Sequence, residues 1–391
     1  MRFRTGCRVA FGDGRPLSCL VACGDIGAPR VLSLIVRVER IDWVIANCRL
    51  LAQIGDEFDR TRPFAGLTIG TGIHLEPKTV ALLLTLQRGG AEVIATGNLN
   101  TTQQSAIDHL VARDVRVIGA PTSDPAEHDR YLWELVRTQP QLLLDNGGDL
   151  FVRYLEEPYD GLLGGTEETT SGRARLEPLR DRIGLPVLVI NDSPIKQFAE
   201  NRHAVGQSVL ESFIRLTNKS TNGKRVTVFG YGACGQGVAA NFRNAYAVVS
   251  VVERDPVLRL EAMLDGFLVP DREEALRSAD VVITVTGAKG VVTAADEPLL
   301  KDGAILANAG HFPWEIEGIE SGRVTLLEGG HMVNLAGERP LGNSIESMDL
   351  GFALQSRCLE AVATGAVGAE SCVVPVPRAI DEAVADAFVR G

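Results

Sequence analysis

A chain of 391 residues, 45% of them hydrophobic, is long enough to bury two separate cores. A net charge of -11 with no Lys/Arg cluster argues against a nucleic-acid partner, which would need a basic face. Aromatic residues make up only 5% against 41 glycines, a balance suited to parallel α/β sheets whose short Val/Ile/Leu strands are covered by helices.

Residues 1–60 carry a weak pattern, although 41–54 has helical spacing. The apolar run over 17–38 is interrupted by Asp25, Pro29 and Arg30, so it reads as neither a signal nor a membrane span. From residue 67 the pattern sharpens. It predicts a strand over 67–70, a helix over 78–88 with Val80, Leu83, Leu84 and Leu86 apolar, and a strand over 91–95. A helix over 103–112, a strand over 115–118, a helix over 132–138 and a strand over 142–144 follow. That last strand ends in Asp145-Asn146-Gly147-Gly148-Asp149, and another over 185–190 ends in Asn191-Asp192-Ser193. Polar groups at the carboxyl ends of strands are where this architecture binds ligands. The same residues also close βα turns and cap helices, and both readings stay open here.

A second unit begins near Gly206, with a linking helix over 207–217 and a polar break over 218–224. A strand over 226–229 leads into Gly230-Tyr231-Gly232-Ala233-Cys234-Gly235 and a helix. The first glycine permits a tight turn, the second lets backbone approach a pyrophosphate, and the third lets helix and strand pack closely. A strand over 248–252 ends at Glu253, placed to accept from a ribose hydroxyl and to disfavour a 2′-phosphate. This predicts an NAD site. Further strands are expected over 281–285 and 304–307. The predicted fold is α/β: two doubly wound parallel-sheet domains, with a Rossmann-type NAD domain (206–336) inserted in a substrate domain (1–203 and 340–391). Cys7, Cys19, Cys23, Cys48, Cys234, Cys358 and Cys372 form no metal or disulfide spacing. They read as reduced thiols of a cytoplasmic protein without a metal.

One series of blocks is more specific than any of its members. In order these are Gly72-Ile73-His74-Leu75, Asp145-Asn146-Gly147-Gly148-Asp149, Glu167-Glu168-Thr169-Thr170-Ser171-Gly172 and Asn191-Asp192-Ser193-Pro194-Ile195-Lys196. Gly230-Tyr231-Gly232, Asn308-Ala309-Gly310-His311-Phe312 and Val333-Asn334-Leu335 complete it. From about Phe64 to Gly342, and again over 379–385, the chain resembles S-adenosylhomocysteine hydrolase. The resemblance implies an NAD enzyme that oxidises C3′ of a nucleoside, removes the C4′ proton made acidic by the ketone, expels the C5′ group and re-reduces C3′. It implies an adenine nucleoside as substrate and a homo-oligomer as the assembly.

Carried over residue by residue, Lys196 matches the base at the 3′-hydroxyl, a role that needs a depressed pKa. Glu168 matches the carboxylate that holds the ribose hydroxyls. Thr169, Thr170, Ser171 and Asn201 match the nicotinamide surroundings. Gly230, Gly232, Ala233, Cys234, Gly235, Glu253, Ala309, Gly310, His311 and Asn334 match the cofactor site. His74 and His311 match the histidines near C4′ and C5′. His109, His128, His203 and His331 match no catalytic position.

The departures lie on the substrate side. Asn146 stands where the family has an acid/base aspartate, and an amide cannot exchange a proton in that role. Glu200 replaces a shorter aspartate. The family's His-x-Thr-x-Glu beside the adenine is His74-Leu75-Glu76-Pro77-Lys78, and its Gly-His-Pro beside the nucleoside is Gly342-Asn343-Ser344. The family's tail, which reaches a neighbouring subunit's NAD, has no counterpart before Gly391, so NAD is expected to exchange more readily. Retained redox groups with altered substrate groups point to a specialised relative, such as a nucleoside dehydratase, ahead of a hydrolase or a non-catalytic NAD-binding regulator.

Overall fold

A computed structural model describes residues 40–391, apart from Ser321 and Glu338. The readings made on residues 1–39, including Cys7, Cys19, Cys23 and the apolar run over 17–38, lie outside the described residues. Two parallel sheets organise the rest.

The first sheet takes β1 (Thr68–Ile73), β2 (Glu92–Gly97), β3 (Arg116–Ile118), β4 (Leu142–Asp145), β5 (Gly164–Glu167) and β6 (Val187–Val189). The second takes β7 (Arg225–Phe229), β8 (Val248–Val252), β9 (Val281–Thr284), β11 (Ile305–Asn308) and β13 (Thr325–Leu326); β10 (Val292–Thr293) and β12 (Ile316–Glu317) pair separately. The chain then returns to the first sheet through β14 (Cys372–Pro375), giving the order β14-β6-β5-β4-β1-β2-β3; the second sheet runs β13-β11-β9-β7-β8.

Both sheets are buried on both faces, which is why their strands read as continuous apolar runs. In β4, Leu142 and Leu144 enter one core with Ile69, Leu83 and Phe352, while Leu143 enters the opposite core with Leu135, Phe151 and Val189. In β9, Val281 and Ile283 pack with Val228 and Phe242, and Val282 packs with Leu276 and Leu306. The period of two is thus satisfied twice in each strand.

Several elements differ from the sequence reading. The helical spacing over 41–54 becomes two helices, Arg40–Asn47 and Arg49–Thr61, that break at Cys48. The helix read over 132–138 begins earlier, at Pro125, where Asp124 caps the amide of Ala126 and proline fills the first helical position. Strand β5 was missed because Gly-Gly-Thr-Glu carries no apolar run. Its glycine is required: a Cβ at Gly165 would lie 1.8 Å from the Leu143 carbonyl oxygen. The linking helix is longer than expected. A π-helical stretch, Lys196–Ala204, runs directly into Val205–Thr217, and such wide turns concentrate at functional sites. Among the described residues, no helix is long and apolar enough to cross a membrane.

Candidate active site

Site residues lie just beyond the carboxyl ends of β1, β4, β5, β6, β7, β8 and β11, where the two readings of the polar loops can be separated residue by residue. Asp145 and Glu167 are the structural members. Asp145 accepts from the amides of Asn146 (2.9 Å), Leu150 (2.9 Å) and Phe151 (3.0 Å). Glu167 accepts from Gly147 N (3.1 Å), Gly148 N (2.9 Å), Thr169 N (2.6 Å) and the Thr169 hydroxyl (2.7 Å). Gly147 and Gly148 take positive φ values of 95° and 73°, which lets the loop turn its amides inward. Burial pushes both carboxyls upward, and Asp145 adds its repulsion to Glu167.

Their chain neighbours bond to each other and to the loop after β2. Asn146 Nδ2 donates to Glu168 Oε2 (3.0 Å), and Asn146 Oδ1 accepts from Asn98 Nδ2 (3.1 Å). The amide is therefore held at both ends. Burial, with Glu200 second, raises the Glu168 carboxyl to about 7. Thr169 caps the next helix by accepting from Gly172 N (2.8 Å) and lies 3.1 Å from the Ser171 hydroxyl. Thr170 opens that helix.

After β6, Ser193 Oγ accepts from Ile195 N (3.1 Å) and donates to Asp381 (2.5 Å), tying the Asn-Asp-Ser loop to the C-terminal helix Arg378–Arg390. The next turn presents Lys196, Glu200 and Asn201. Lys196 Nζ lies 2.9 Å from Glu200 Oε1 and donates to Asn201 Oδ1 (2.8 Å); Asn201 Nδ2 donates to Asn191 Oδ1 (3.1 Å). Burial pulls Lys196 down, but Glu200 and Glu168 outweigh it, so the net shift is upward. The depressed lysine expected from the resemblance is not what this arrangement holds: Lys196 is a cation between carboxylates. Glu200 Oε2 is buried without a hydrogen-bond partner, and a Cβ at Gly351 would come within 2.9 Å of it. That glycine gives the longer carboxylate its room.

The histidines come together from different sheets. His74 follows β1 and His311 follows β11, yet their ring centroids lie 6.4 Å apart. A Cβ at Gly147 would lie 3.8 Å from His311 Nε2. Burial lowers His74 to about 3, with His311 and Lys196 adding to the effect, and burial also lowers His311. Both are neutral imidazoles near pH 7. Thr101 lies 2.6 Å from His74 Nδ1, leaving Nε2 as the free nitrogen.

The glycine loop fits a dinucleotide. Gly230 needs its φ of 103°, and a Cβ at Gly235 would lie 2.1 Å from the Gly230 carbonyl oxygen. A Cβ at Gly232 would meet nothing within 4 Å, so open space faces the N-terminus of helix Ala233–Asn244. Glu253 accepts from Tyr231 N (2.7 Å), Arg254 N (2.6 Å) and Asp255 N (2.9 Å), which places its carboxylate at the loop. Cys234 lies within the field of Lys196, and burial pushes its thiol up to about 11. Ala309 N donates to Thr284 O (2.8 Å), and Gly310 N to Asn308 Oδ1 (2.8 Å). Asn334 Nδ2 donates to Ser208 (3.0 Å), while its buried Oδ1 has no hydrogen-bond partner.

The sequence reading did not single out Asn98, Thr101 or Gly237. Asn98 and Thr101 follow β2, and their position at a strand's carboxyl end was the available signal. Gly237 had none: a Cβ there would lie 1.7 Å from the Arg202 carbonyl oxygen, so the cofactor helix packs directly on the π-helical stretch that carries Lys196.

A family model described as the NAD binding domain of S-adenosyl-L-homocysteine hydrolase matches residues 201–336. A second, described as S-adenosyl-L-homocysteine hydrolase, matches residues 40–159. An adenosylhomocysteinase of Thermotoga maritima is 39% identical over 344 residues, spanning 81% of this chain and 85% of that protein. Another, of Thermococcus kodakarensis, is 36% identical over 375 residues, spanning 89% of each. An S-inosyl-L-homocysteine hydrolase of Methanothermobacter thermautotrophicus is 37% identical over 346 residues, spanning 81% of this chain and 83% of that protein.

Proposed function

Because this chain belongs to the S-adenosyl-L-homocysteine hydrolase family and is an NAD-dependent enzyme, we propose that it oxidises a nucleoside at C3′, eliminates the C5′ substituent and re-reduces C3′, with a free 5′-hydroxyl leaving as water. When bound, NAD would supply the hydride acceptor for C3′ and the donor for its re-reduction. Glu168 and Glu200 hold the sugar hydroxyls. Lys196 is the group placed to take the 3′-hydroxyl proton, a role it can fill only in its neutral form. The C4′ proton and the C5′ hydroxyl then leave together as one water, with His74 or His311 moving the proton. The net change is loss of water, with the cofactor unchanged.

The observation that carries the dehydratase outcome is Asn146. Its amide is fixed between Glu168 and Asn98 and cannot deliver or take a proton. Proton transfer at C5′ then falls to His74 or His311 in both directions, and a 4′,5′-unsaturated nucleoside is the product when it leaves before water adds back. The names of the relatives favour hydrolysis of a homocysteine thioether as the second reading. Those names also span adenosyl and inosyl substrates, so the sugar chemistry does not fix the base.

The same reading assigns 1–203 with 340–391 to the substrate and 206–336 to NAD. Crossings near Gly206 and Leu341 would let the cleft close and exclude water. It also takes the protein as a cytoplasmic homo-oligomer. The test is to supply a free 5′-hydroxyl nucleoside and, separately, S-adenosylhomocysteine, following nicotinamide absorbance by stopped flow and products by mass spectrometry. A product lighter by one water supports the dehydratase. Robust homocysteine release overturns it in favour of the hydrolase, and absence of transient nicotinamide reduction with both overturns the redox–elimination scheme.

A further inference from the structure

The loop that carries Asn146 also carries a carboxylate to which the scheme above gives no task. Asp149 opens helix Asp149–Glu156 and is separated from Asn146 by two glycines. Its Oδ1 faces two guanidiniums: Arg175 Nη1 lies 2.6 Å away and Arg153 Nη1 3.4 Å. Arg153 also donates to the Asp149 carbonyl (2.7 Å) and Arg175 to the Gly147 carbonyl (3.3 Å), which pins the helix start to the loop. Its Oδ2 borders His311. A Cβ at Gly147 would lie 3.6 Å from Asp149 Oδ2 and 3.8 Å from His311 Nε2, so the two atoms line one small space, open because residue 147 has no side chain.

Charge separates the two histidines, whose ring centroids are 6.4 Å apart. His74 is pushed down to about 3 by burial, and His311, Lys196 and His128 all oppose a positive charge on it. His311 is lowered by burial too, but Asp149 acts on it in the other direction. Asp149 in turn stands among the two arginines, His128 and Asp145. A carboxylate beside an imidazole stabilises the imidazolium that forms when the ring takes up a proton. His311 has such a neighbour; the groups acting on His74 have the opposite sign.

We infer that Asp149 is a positioning residue that makes His311, and not His74, the carrier of the proton between C4′ and C5′. This rests on the elimination proposed above. Neutral His311 takes the C4′ proton. The electron pair left at C4′, delocalised onto the C3′ ketone, forms the C4′–C5′ double bond as the C5′–oxygen bond breaks. The imidazolium, facing Asp149, gives its proton to the departing oxygen, which leaves as water. His311 ends neutral, as it began, and the nucleoside has lost one water. His74, whose Nδ1 meets Thr101, stays a neutral hydrogen-bonding partner throughout. Asn146 can hold the oxygen but cannot exchange its proton. A carboxylate three residues on, acting through an imidazole, thus takes over from the acid/base aspartate that the family keeps at position 146.

The experiment titrates His311 in the NAD-bound enzyme by NMR of ¹³C-labelled histidine, with its signal identified by its loss in His311→Gln. Asp149→Asn should lower the midpoint by about one pH unit, a tenfold loss of proton affinity. Arg175→Gln strips a cation from Asp149 and should move the midpoint the opposite way. Single turnovers, with product followed by rapid-quench mass spectrometry, add the kinetic readout. Elimination needs neutral His311, so its rate climbs with pH through that midpoint. Asp149→Asn should move the climb to lower pH and cut the plateau by up to about tenfold, and Asp149→Glu should restore part of both. A purely structural role would lower the rate without moving the climb. An unchanged midpoint in Asp149→Asn overturns the inference, as does a His311 signal that never shows protonation while the unaltered protein stays folded. If Asp149→Asn fails to fold, an unmoved midpoint in Arg175→Gln overturns it instead. If no nucleoside reduces the nicotinamide, the redox scheme has failed, while the titration still decides whether Asp149 supports charge on His311.

Discussion

The cofactor loop and the substrate loops sit on sheets of the same kind but are built differently. Around Gly230, Gly232 and Gly235 the site is made of backbone: a positive φ, a close helix approach and open space before helix amides. Around Asn146, Glu168 and Lys196 it is made of side chains that hold one another, and those side chains rest on two further buried carboxylates, Asp145 and Glu167. A backbone-built site tolerates little change, because Gly230 and Gly235 answer steric demands of the protein and the open space at Gly232 is the room a pyrophosphate needs. A side-chain network can exchange its chemical groups on a fixed frame, and the departures from the family fall there.

The largest effect should come from the network. Lys196→Ala removes the cation paired with Glu200, leaves two buried carboxylates facing each other and deletes the proposed base. Nicotinamide reduction on substrate addition should fall by about 10⁴, with NAD still bound. Normal turnover would end the scheme. His74→Ala acts later, at the elimination. It should slow product formation by roughly 10² while 3′-oxidation continues, so reduced nicotinamide accumulates in stopped flow. If both variants stall before reduction, His74 serves oxidation and the division of labour is wrong.

The backbone-built half predicts a different signature. Gly232 has an ordinary φ of -66° and free space around its missing Cβ, so alanine fits the protein without strain. A bound pyrophosphate would meet that methyl. Gly232→Ala should leave the melting temperature unchanged and weaken NAD by about tenfold to a hundredfold, as expected for an overpacked contact of ~1–3 kcal/mol. Unchanged NAD affinity in a calorimetric titration would move the cofactor elsewhere.

Legibility followed the same division. The glycine loop was readable because its spacing is a steric requirement, and Glu253 because it ends the next strand. Lys196, Glu168 and the two histidines were readable only through the resemblance, since a lone His or Lys on a βα loop carries no geometric mark. The polar loops were ambiguous in the sequence because adjacent residues divide the two roles: Asp145 and Glu167 hold amides while Asn146 and Glu168 bond to each other's side chains. No local pattern separates Glu167 from Glu168; the alternation of β5 does, and β5 was invisible for lack of an apolar run. The charge on Lys196 was likewise out of reach, because it is a balance of burial against Glu200 and Glu168, and neither the burial nor the approach of Glu168 from another loop is marked in the sequence.

Glu167 tests whether the frame is separable from the chemistry it carries. Glu167→Gln keeps the shape but turns an NH₂ toward backbone amides, and should cost ~1–3 kcal/mol of stability. The pH dependence supplies a second readout. The folded carboxyl sits above its ordinary 4.5, at about 8, chiefly through burial. The folded protein therefore binds the extra proton between these values. The stability this contributes is fully present below pH 4.5 and is lost as pH rises through about 8. Urea denaturation at pH 5 and pH 8 should show that decline in the unaltered protein and a flatter one in the variant; parallel curves would show that Glu167 does not titrate in this window.

The smallest effect is expected at Glu253, and its size decides how far the cofactor half depends on side chains at all. The carboxylate already accepts three backbone amides at the loop. Gln at this position keeps one acceptor oxygen, which can stay with Tyr231 N and a ribose hydroxyl while its NH₂ turns to the exposed Arg254 and Asp255 amides, and it loses the charge. Glu253→Gln should therefore weaken NAD only about threefold to tenfold, in line with ~0.5–1.5 kcal/mol for one exchanged hydrogen bond. The charge matters more for what is rejected. A carboxylate repels a 2′-phosphate, so the same substitution should narrow the gap between NAD and NADP by more than it weakens NAD itself. Fluorescence titration with both dinucleotides measures the two changes together. A loss of NAD affinity as large as that caused by Gly232→Ala would mean that the ribose carboxylate, and not the backbone cradle, holds the cofactor, and the contrast between the two halves of the site would have to be redrawn.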